Sequence, residues 1–263
     1  MLGAIIGDII GSPYEFSSGK SKSFPLFVGG CRPTDDSVMT AAVALACLDG
    51  ALEDREAFQE NLVAHMKELG QTYPDAGYGA KFYWFLREKD PKPYGSFGNG
   101  SAMRVSPVAY ATKTLERVEE LAQWSAEVSH DHPEGIKGAQ AVAAAVFMAR
   151  TGKSKEEIKA YTEAHYYKLD FTLDEIRSTY RFDVTCQGSV PQAIVCFLEA
   201  ESYEDAVRNA VSLGGDSDTI AAMAGSIAEP FFGIPEEIEE EAFEYIDEEL
   251  AGYITEFSSA FDL

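Results

Sequence analysis

Apolar residues return at spacings of three and four through almost the whole chain, and this period narrows the folds open to it more than any other feature. Phe58, Leu62, Val63, Met66 and Leu69 make one such stripe, Leu115, Val118, Leu121, Ala122, Ser125 and Val128 a second, and Tyr203, Ala206, Val207, Ala210 and Val211 a third. No alternating run of the kind a half-buried strand requires competes with them. Breaks fall at Pro74 to Gly79, Pro91 to Gly100, Asp131 to Pro133, Thr151 to Lys153 and Gly214-Gly215, which leaves segments of ordinary helical length. The expectation is an all-α protein of about ten to twelve helices, one domain over residues 1–263, with a hydrophobic content of 46 % that is ample for a buried core. PEEIEEEAFEYIDEEL, residues 235–250, reads as one helix with an acidic outer face and Ile238, Ala242, Tyr245 and Ile246 turned inward.

With 21 Lys and Arg against 44 Asp and Glu, the formal charge is −23, so the general field repels nucleic acid and anionic membranes, and an anionic substrate needs a local cation. The longest uninterrupted apolar run, AVAAAVFMA at 141–149, is far short of the roughly 20 residues that span a bilayer. MLGAIIGDIIGSPYEF lacks a basic n-region and carries Asp8 in its apolar stretch, which argues against a secretory signal. Cys31, Cys47, Cys186 and Cys196 show no CxxC spacing, and reduced, buried thiols in a cytoplasmic protein are the favoured reading.

Gly3, Gly7 and Gly11 recur every four residues, so on a helix they line one side and bare a groove for another backbone. Each interior glycine forfeits up to about 1 kcal/mol against alanine, which suggests that a close approach is required there. Asp8, between them, reads as a structural hydrogen-bonding group.

Two segments share a second pattern. CRPTDDSVMTAAVALACL, residues 31–48, and GGDSDTIAAMAGSIA, residues 214–228, each set paired aspartates and a threonine at the start of a small-residue apolar helix. One carboxylate can cap a helix by accepting from its free N–H groups. A second in the same buried mouth adds like-charge repulsion that a hydrogen bond, a proton or a cation must offset. If the two entrances meet, Thr34, Asp35, Asp36, Asp216, Ser217, Asp218 and Thr219 form an all-oxygen set suited to hard cations such as Mg²⁺ or Mn²⁺; if they do not, they are two ordinary helix caps.

PYGSFGNGSAMRVSP, residues 93–107, packs three glycines into six residues before a helical pattern that starts at Ser101. Its backbone N–H groups can approach a phosphate, although an ordinary flexible loop has the same composition; Phe97 and Asn99 offer it an aromatic face and an amide. In SHDHPEGIKGAQ, His132 before Pro133 reads as a capping or hydrogen-bonding group, and His130 as a substrate or hydrogen-bonding contact.

In order, GAIIGDIIGSPYE, TDDSVMT, GSFGNGSAMRVSP, SHDHPEGIKGAQ and GGDSDTIAAMAGSIA resemble the ADP-ribosylglycohydrolase family, which includes the dinitrogenase reductase-activating glycohydrolases and the ADP-ribosyl-acceptor hydrolases. The resemblance covers nearly the whole chain. It implies a compact orthogonal helical bundle with two Mg²⁺ or Mn²⁺ ions in a central cleft, and hydrolysis of the N- or O-glycosidic bond between ADP-ribose and an acceptor, which reverses ADP-ribosylation. By the same resemblance Thr34, Asp35 and Asp36 match the first metal motif and Asp216, Asp218 and Thr219 the second, with Asp218 as bridge. Glu15 matches the acid on a segment that closes over the metals, Gly95, Ser96, Phe97, Gly98, Asn99 and Gly100 match the loop around the diphosphate and ribose, and His130 lines that pocket. Asp36 or Glu15 would take the proton of the attacking water. The implied partners are an ADP-ribosylated protein or small molecule, with free ADP-ribose as product, no membrane, nucleic acid only as a modified acceptor, and a monomeric state. A catalytically silent ADP-ribose-binding relative and another dinuclear-metal hydrolase are the competing readings. Ser37 and Ser217 stand where many members carry threonine, and the chain is short for the family.

Overall fold

The computed structural model describes residues 1–16 and 19–261. Among them the fifteen α-helices are, in chain order, α1 (Leu2–Gly11), α2 (Asp35–Leu48), α3 (Arg55–Thr72), α4 (Ala80–Phe85), α5 (Gly100–Met103), α6 (Val108–Ala111), α7 (Leu115–Glu127), α8 (Pro133–Arg150), α9 (Lys155–His165), α10 (Leu173–Arg177), α11 (Cys186–Leu198), α12 (Tyr203–Leu213), α13 (Ser217–Phe232), α14 (Glu236–Phe243) and α15 (Glu248–Ala260), with a single 3-10 turn at Ser12–Tyr14. The all-α expectation holds, and nine of the fifteen helix starts are capped by a polar side chain. Thr34 opens α2, His132 accepts from the Glu134 N–H at the start of α8, and Ser154 with Glu157 and Thr172 with Glu175 form reciprocal caps on α9 and α10.

The count exceeds the expected ten to twelve because α4, α5, α6 and α10 have only four to six residues, too short to display a period. Residues 235–250 also differ from the single helix expected. The chain turns after Phe243, and Asp247 caps a new helix by accepting from the Leu250 N–H at 2.8 Å. Ile238 and Ala242 are buried, whereas Tyr245 and Ile246 sit half-buried in the turn.

At the centre lies α13, which packs against α1, α12, α11 and α8, while α2 with α3 and α7 with α8 form the flanking pairs. The α1–α13 contact is backbone on backbone: a Cβ added to Gly7 would sit 2.2 Å from the carbonyl oxygen of Ala221, and one on Gly11 would sit 2.5 Å from the Cα of Asp218. The glycine ladder is therefore the groove expected of it, and it sets the end of α1 against the acidic start of α13. The predicted stripes face one contiguous core, in which Phe58, Leu62, Met66 and Leu69 of α3 meet Val118, Leu121 and Ala122 of α7. All four cysteines are free and buried. Among the described residues no helix is long and apolar enough to cross a membrane.

Gly7→Ala gains helix propensity yet must push two rigid backbones apart, so it should lower unfolding stability by about 1–3 kcal/mol. Gly29→Ala, where an added Cβ meets nothing within 4 Å, should be nearly neutral. Denaturant unfolding of both variants checks the pair.

Candidate active site

The two acidic helix entrances meet. Thr219 Oγ1 at the start of α13 donates to Asp36 Oδ2 at the start of α2 at 3.1 Å. Asp216, Asp218 and Glu15 each bring a carboxylate oxygen within 4.8 Å of the others, and Asp8, Asp36 and Asp218 do the same; Asp218 belongs to both groups. Helix capping accounts for little of this. Thr34 caps α2 through its hydroxyl, but the Asp216 side chain caps nothing, although it stands at the N-cap of α13. Its Oδ2 instead accepts from Asn99 Nδ2 at 2.6 Å, which ties the glycine loop to the acid cluster. Asp36 Oδ1 is buried with no hydrogen-bond partner, an arrangement that costs free energy unless a proton or cation satisfies it.

Asp8 has a different part. Its Oδ2 accepts from the Thr34 and Ser37 N–H groups and the Ser37 hydroxyl, and its Oδ1 from the Thr34 hydroxyl, which leaves one lone-pair direction on Oδ1. It therefore orients the Thr34–Ser37 turn, as its place in the apolar helix suggested, while one of its oxygens stays within 4.8 Å of those of Asp36 and Asp218.

Burial of so many acids raises their proton affinity. Desolvation, reinforced by neighbouring aspartates, pushes Asp36 and Asp218 well above the ordinary carboxylate range. Asp35 and half-buried Glu15 are pushed up to about 7, again by desolvation first and by the negative charge of Asp8 and Asp216 after it. Asp216 rises to about 6, restrained by the Asn99 hydrogen bond.

Above the acids opens a cleft of about 460 Å³, within the range of small-molecule sites. Thr34, Asp35, Asp36, Asp216, Asp218 and Thr219 lie on its floor side, and Glu15, Ser96, Gly98, Asn99, Gly100 and His130 line it as well. Gly95 and Phe97 are not on that wall: the Gly95 N–H donates to Asp131 Oδ1 at 2.7 Å, and the Phe97 ring meets His132 edge-on at 5.3 Å. The loop is more strapped down than its glycines suggested, since the Asn99 N–H donates to Val184 O and the Cys186 N–H to Phe97 O, and the helix after it has a single turn. The N–H groups of Gly95, Gly98 and Asn99 are thus spoken for within the protein.

Burial, with the charge of Arg104 nearby, holds the His130 imidazole well below its usual range, hence neutral. Its Nδ1 lies 2.8 Å from Ser129 Oγ, which itself accepts from Arg104 Nη2 at 3.0 Å. The arrangement that uses every donor sends the Ser129 hydrogen to Nδ1 and leaves Nε2–H on the side of Gly98 and Gly100.

Sequence reasoning missed the cations of the cleft, Arg32, Lys81 and Arg104, and its apolar rim at Phe182 and Val184. Arg104 carried a signal, being a lone charge in the apolar run AMRVSPVAY. Phe182 and Val184 carried none, because only tertiary pairing with the glycine loop brings their segment to the site.

The fold and the cluster of carboxylates from two distant helix starts do not by themselves name a reaction, and comparison with known proteins does. The model of the ADP-ribosylglycohydrolase family matches residues 1–257, and the chain belongs to that family. Mouse ADP-ribosylhydrolase ARH3 is 29 % identical over 94 % of this chain and 88 % of its own length, and the human ARH3 protein is 28 % identical over 89 % and 84 %. ADP-ribosylarginine hydrolase Tri1 of Pseudomonas putida is 24 % identical over 95 % of this chain and 75 % of its own. A solved ADP-ribosylglycohydrolase-related protein complex shares the fold, with a TM-score of 0.62 at 21 % identity over 98 % of this chain and 97 % of that one. The chain is accordingly an ADP-ribosyl glycohydrolase, an enzyme acting on glycosidic bonds of ADP-ribose.

A carboxyl that holds its proton more tightly folded than unfolded contributes stability below the ordinary range near pH 4, and that contribution is lost as pH rises through the folded value, here about 6 to 7 for Asp216, Asp35 and Glu15. The chelated protein should therefore melt higher at pH 5 than at pH 8, with a divalent cation raising the pH 8 value more. A melting temperature that climbs over this interval without metal would contradict the crowding.

Proposed function

We propose that two divalent cations, Mg²⁺ or Mn²⁺, bind between the entrances of α2 and α13, held by Thr34, Asp35, Asp36, Asp216, Asp218 and Thr219, and that Glu15 and Asp36 serve the hydrolysis. The observation that carries this reading is the buried, unpartnered Asp36 Oδ1 in an all-oxygen cluster in which Asp218 belongs to two carboxylate groups. Oxygen donors without histidine or thiolate fit a hard cation. When bound, the ions supply Lewis-acid polarisation and a positive field in a strongly anionic protein.

The chain's own groups supply positioning. Thr219 aims Asp36, Asn99 holds Asp216, and Asp8 fixes the turn that carries Thr34 and Asp35. The diphosphate and ribose of ADP-ribose lie along Ser96, Gly98, Asn99 and Gly100, with neutral His130 donating from Nε2 and Arg32, Lys81 and Arg104 offsetting the acidic field. Water attacks the anomeric carbon, its proton passes to Asp36 or Glu15, and a proton returned to the departing oxygen or nitrogen completes the hydrolysis. Burial brings Glu15 to about 7, suited to that exchange near neutral pH, and raises the proton affinity of Asp36 well above the ordinary carboxylate range. The substrate is an ADP-ribosylated protein or small molecule, the product free ADP-ribose, and the enzyme a single-domain cytoplasmic monomer.

Asp216→Asn and Asp218→Ala should each lower turnover of an ADP-ribosylated peptide by more than the roughly 10–100-fold cost of losing a metal ligand's outer partner, while circular dichroism keeps its helical signal. Chelation should silence the unaltered enzyme, and Mg²⁺ or Mn²⁺ should restore it. Unfolded variants whose folded fraction turns over normally would mark both aspartates as fold elements only.

Glu15→Gln separates rate from binding. A proton-transfer role predicts a kcat loss of about 10²–10⁴ with the affinity for free ADP-ribose nearly kept. Equal losses in both would make Glu15 a binding group.

A further inference from the structure

We propose that the stacked rings of Phe16 and Phe182 form a latch that holds Glu15 over the carboxylate floor, which makes both of them positioning residues for the hydrolysis proposed above, on which this inference rests. Phe16 directly follows Glu15 and, among the described residues, is the one non-glycine with a positive φ, 63°. A bulky side chain in that region is an outlier that persists only where its surroundings hold it.

Two contacts do so. The Phe16 N–H donates to Gly215 O at 3.1 Å, and its ring stacks on Phe182 with centroids 4.9 Å apart and planes 27° from parallel. Phe182 is anchored in turn at the same place: Gly215 has a φ of +79°, and a Cβ there would lie 3.0 Å from both the nitrogen and the Cα of Phe182. The segments that carry Glu15, Phe182 and Asp216 thus meet around Gly215, one residue before the acid motif of α13.

The pair is not core packing. Phe16 is 73 % exposed and Phe182 44 %, and Phe182 lines the cleft, so both rings stand in solvent at its mouth. A stack of this kind shifts an equilibrium by a few-fold to about tenfold, enough to favour the strained turn at Phe16 and too little to make it permanent.

The test uses the full chain with Phe16→Ala, Phe182→Ala, the double variant and Phe182→Tyr. Hydrogen exchange of the Phe16 amide, followed by NMR, reads the latch without reference to activity. Steady-state kinetics on a synthetic peptide ADP-ribosylated on serine or on arginine, whichever the unaltered enzyme cleaves, reads its consequence. Phe182→Ala should speed exchange of that amide by a few-fold to about tenfold and lower kcat by a similar factor with KM little changed. Phe16→Ala should show the same kinetic loss, the double variant should be no worse than either single one, and Phe182→Tyr should restore both readouts. Unchanged exchange in Phe182→Ala overturns the latch. Faster exchange with a raised KM and an intact kcat overturns it too, and assigns the rings to acceptor contact. Faster exchange in a protein whose unaltered form cleaves neither peptide leaves the latch standing and removes the serine- and arginine-linked peptides as its substrates instead.

Discussion

The backbone contact between α1 and α13 is the constraint from which the rest of the site follows. Glycines at every fourth position of α1 let its backbone touch that of α13 where any side chain would overlap a carbonyl. With the two axes so close, the last turn of α1 abuts Asp218. Asp8, one residue past Gly7, reaches Thr34 and Ser37 at the start of α2. Glu15 follows four residues after α1 ends. Three acidic segments far apart in sequence are thereby hung from one pair of helices, and the glycines' cost in helix propensity is offset by the burial that the contact allows.

Those segments gather charge that a protein interior resists. Asp36, Asp216 and Asp218 are buried together, and the hydrogen bonds from Thr219 and Asn99 satisfy only some of their oxygens. A fold does not retain such repulsion for stability, since apolar or singly capped helix starts would be more favourable. The crowding makes sense as a cation site, and it fits the acidity of the whole chain. With a formal charge of −23, the protein has Arg32, Lys81 and Arg104 on the cleft as a local positive field for an anionic substrate, to which the proposed cations would add. His130 adds a neutral donor in place of further charge.

The glycine loop shows a similar economy. Its composition suggested free backbone donors, yet several are spent on Asp131, Ser96 and Val184, so the loop is a shaped wall braced by neighbouring segments. Asn99 links that wall to Asp216, and any motion of the loop therefore passes directly to the acid cluster.

How much of this was legible beforehand depended on whether a feature was local. Helical period, the breaks between long helices, the cap at His132, the glycine groove and the two acidic entrances are written within a few turns of chain, where propensity and spacing act directly, and each could be read from the residues around it. One-turn helices such as α5 and α6 could not, because four residues show no period. The split between α14 and α15 was hidden for a related reason, as PEEIEEEAFEYIDEEL keeps helical composition through the turn at which Asp247 starts a new cap. That the Asp216 carboxylate accepts from Asn99 and caps nothing, that Asp8 closes the Thr34–Ser37 turn, and that Phe182 and Val184 stand beside the glycine loop were decided by tertiary structure alone. Such contacts join residues tens to hundreds of positions apart, and their geometry exists only once the helices between them have packed.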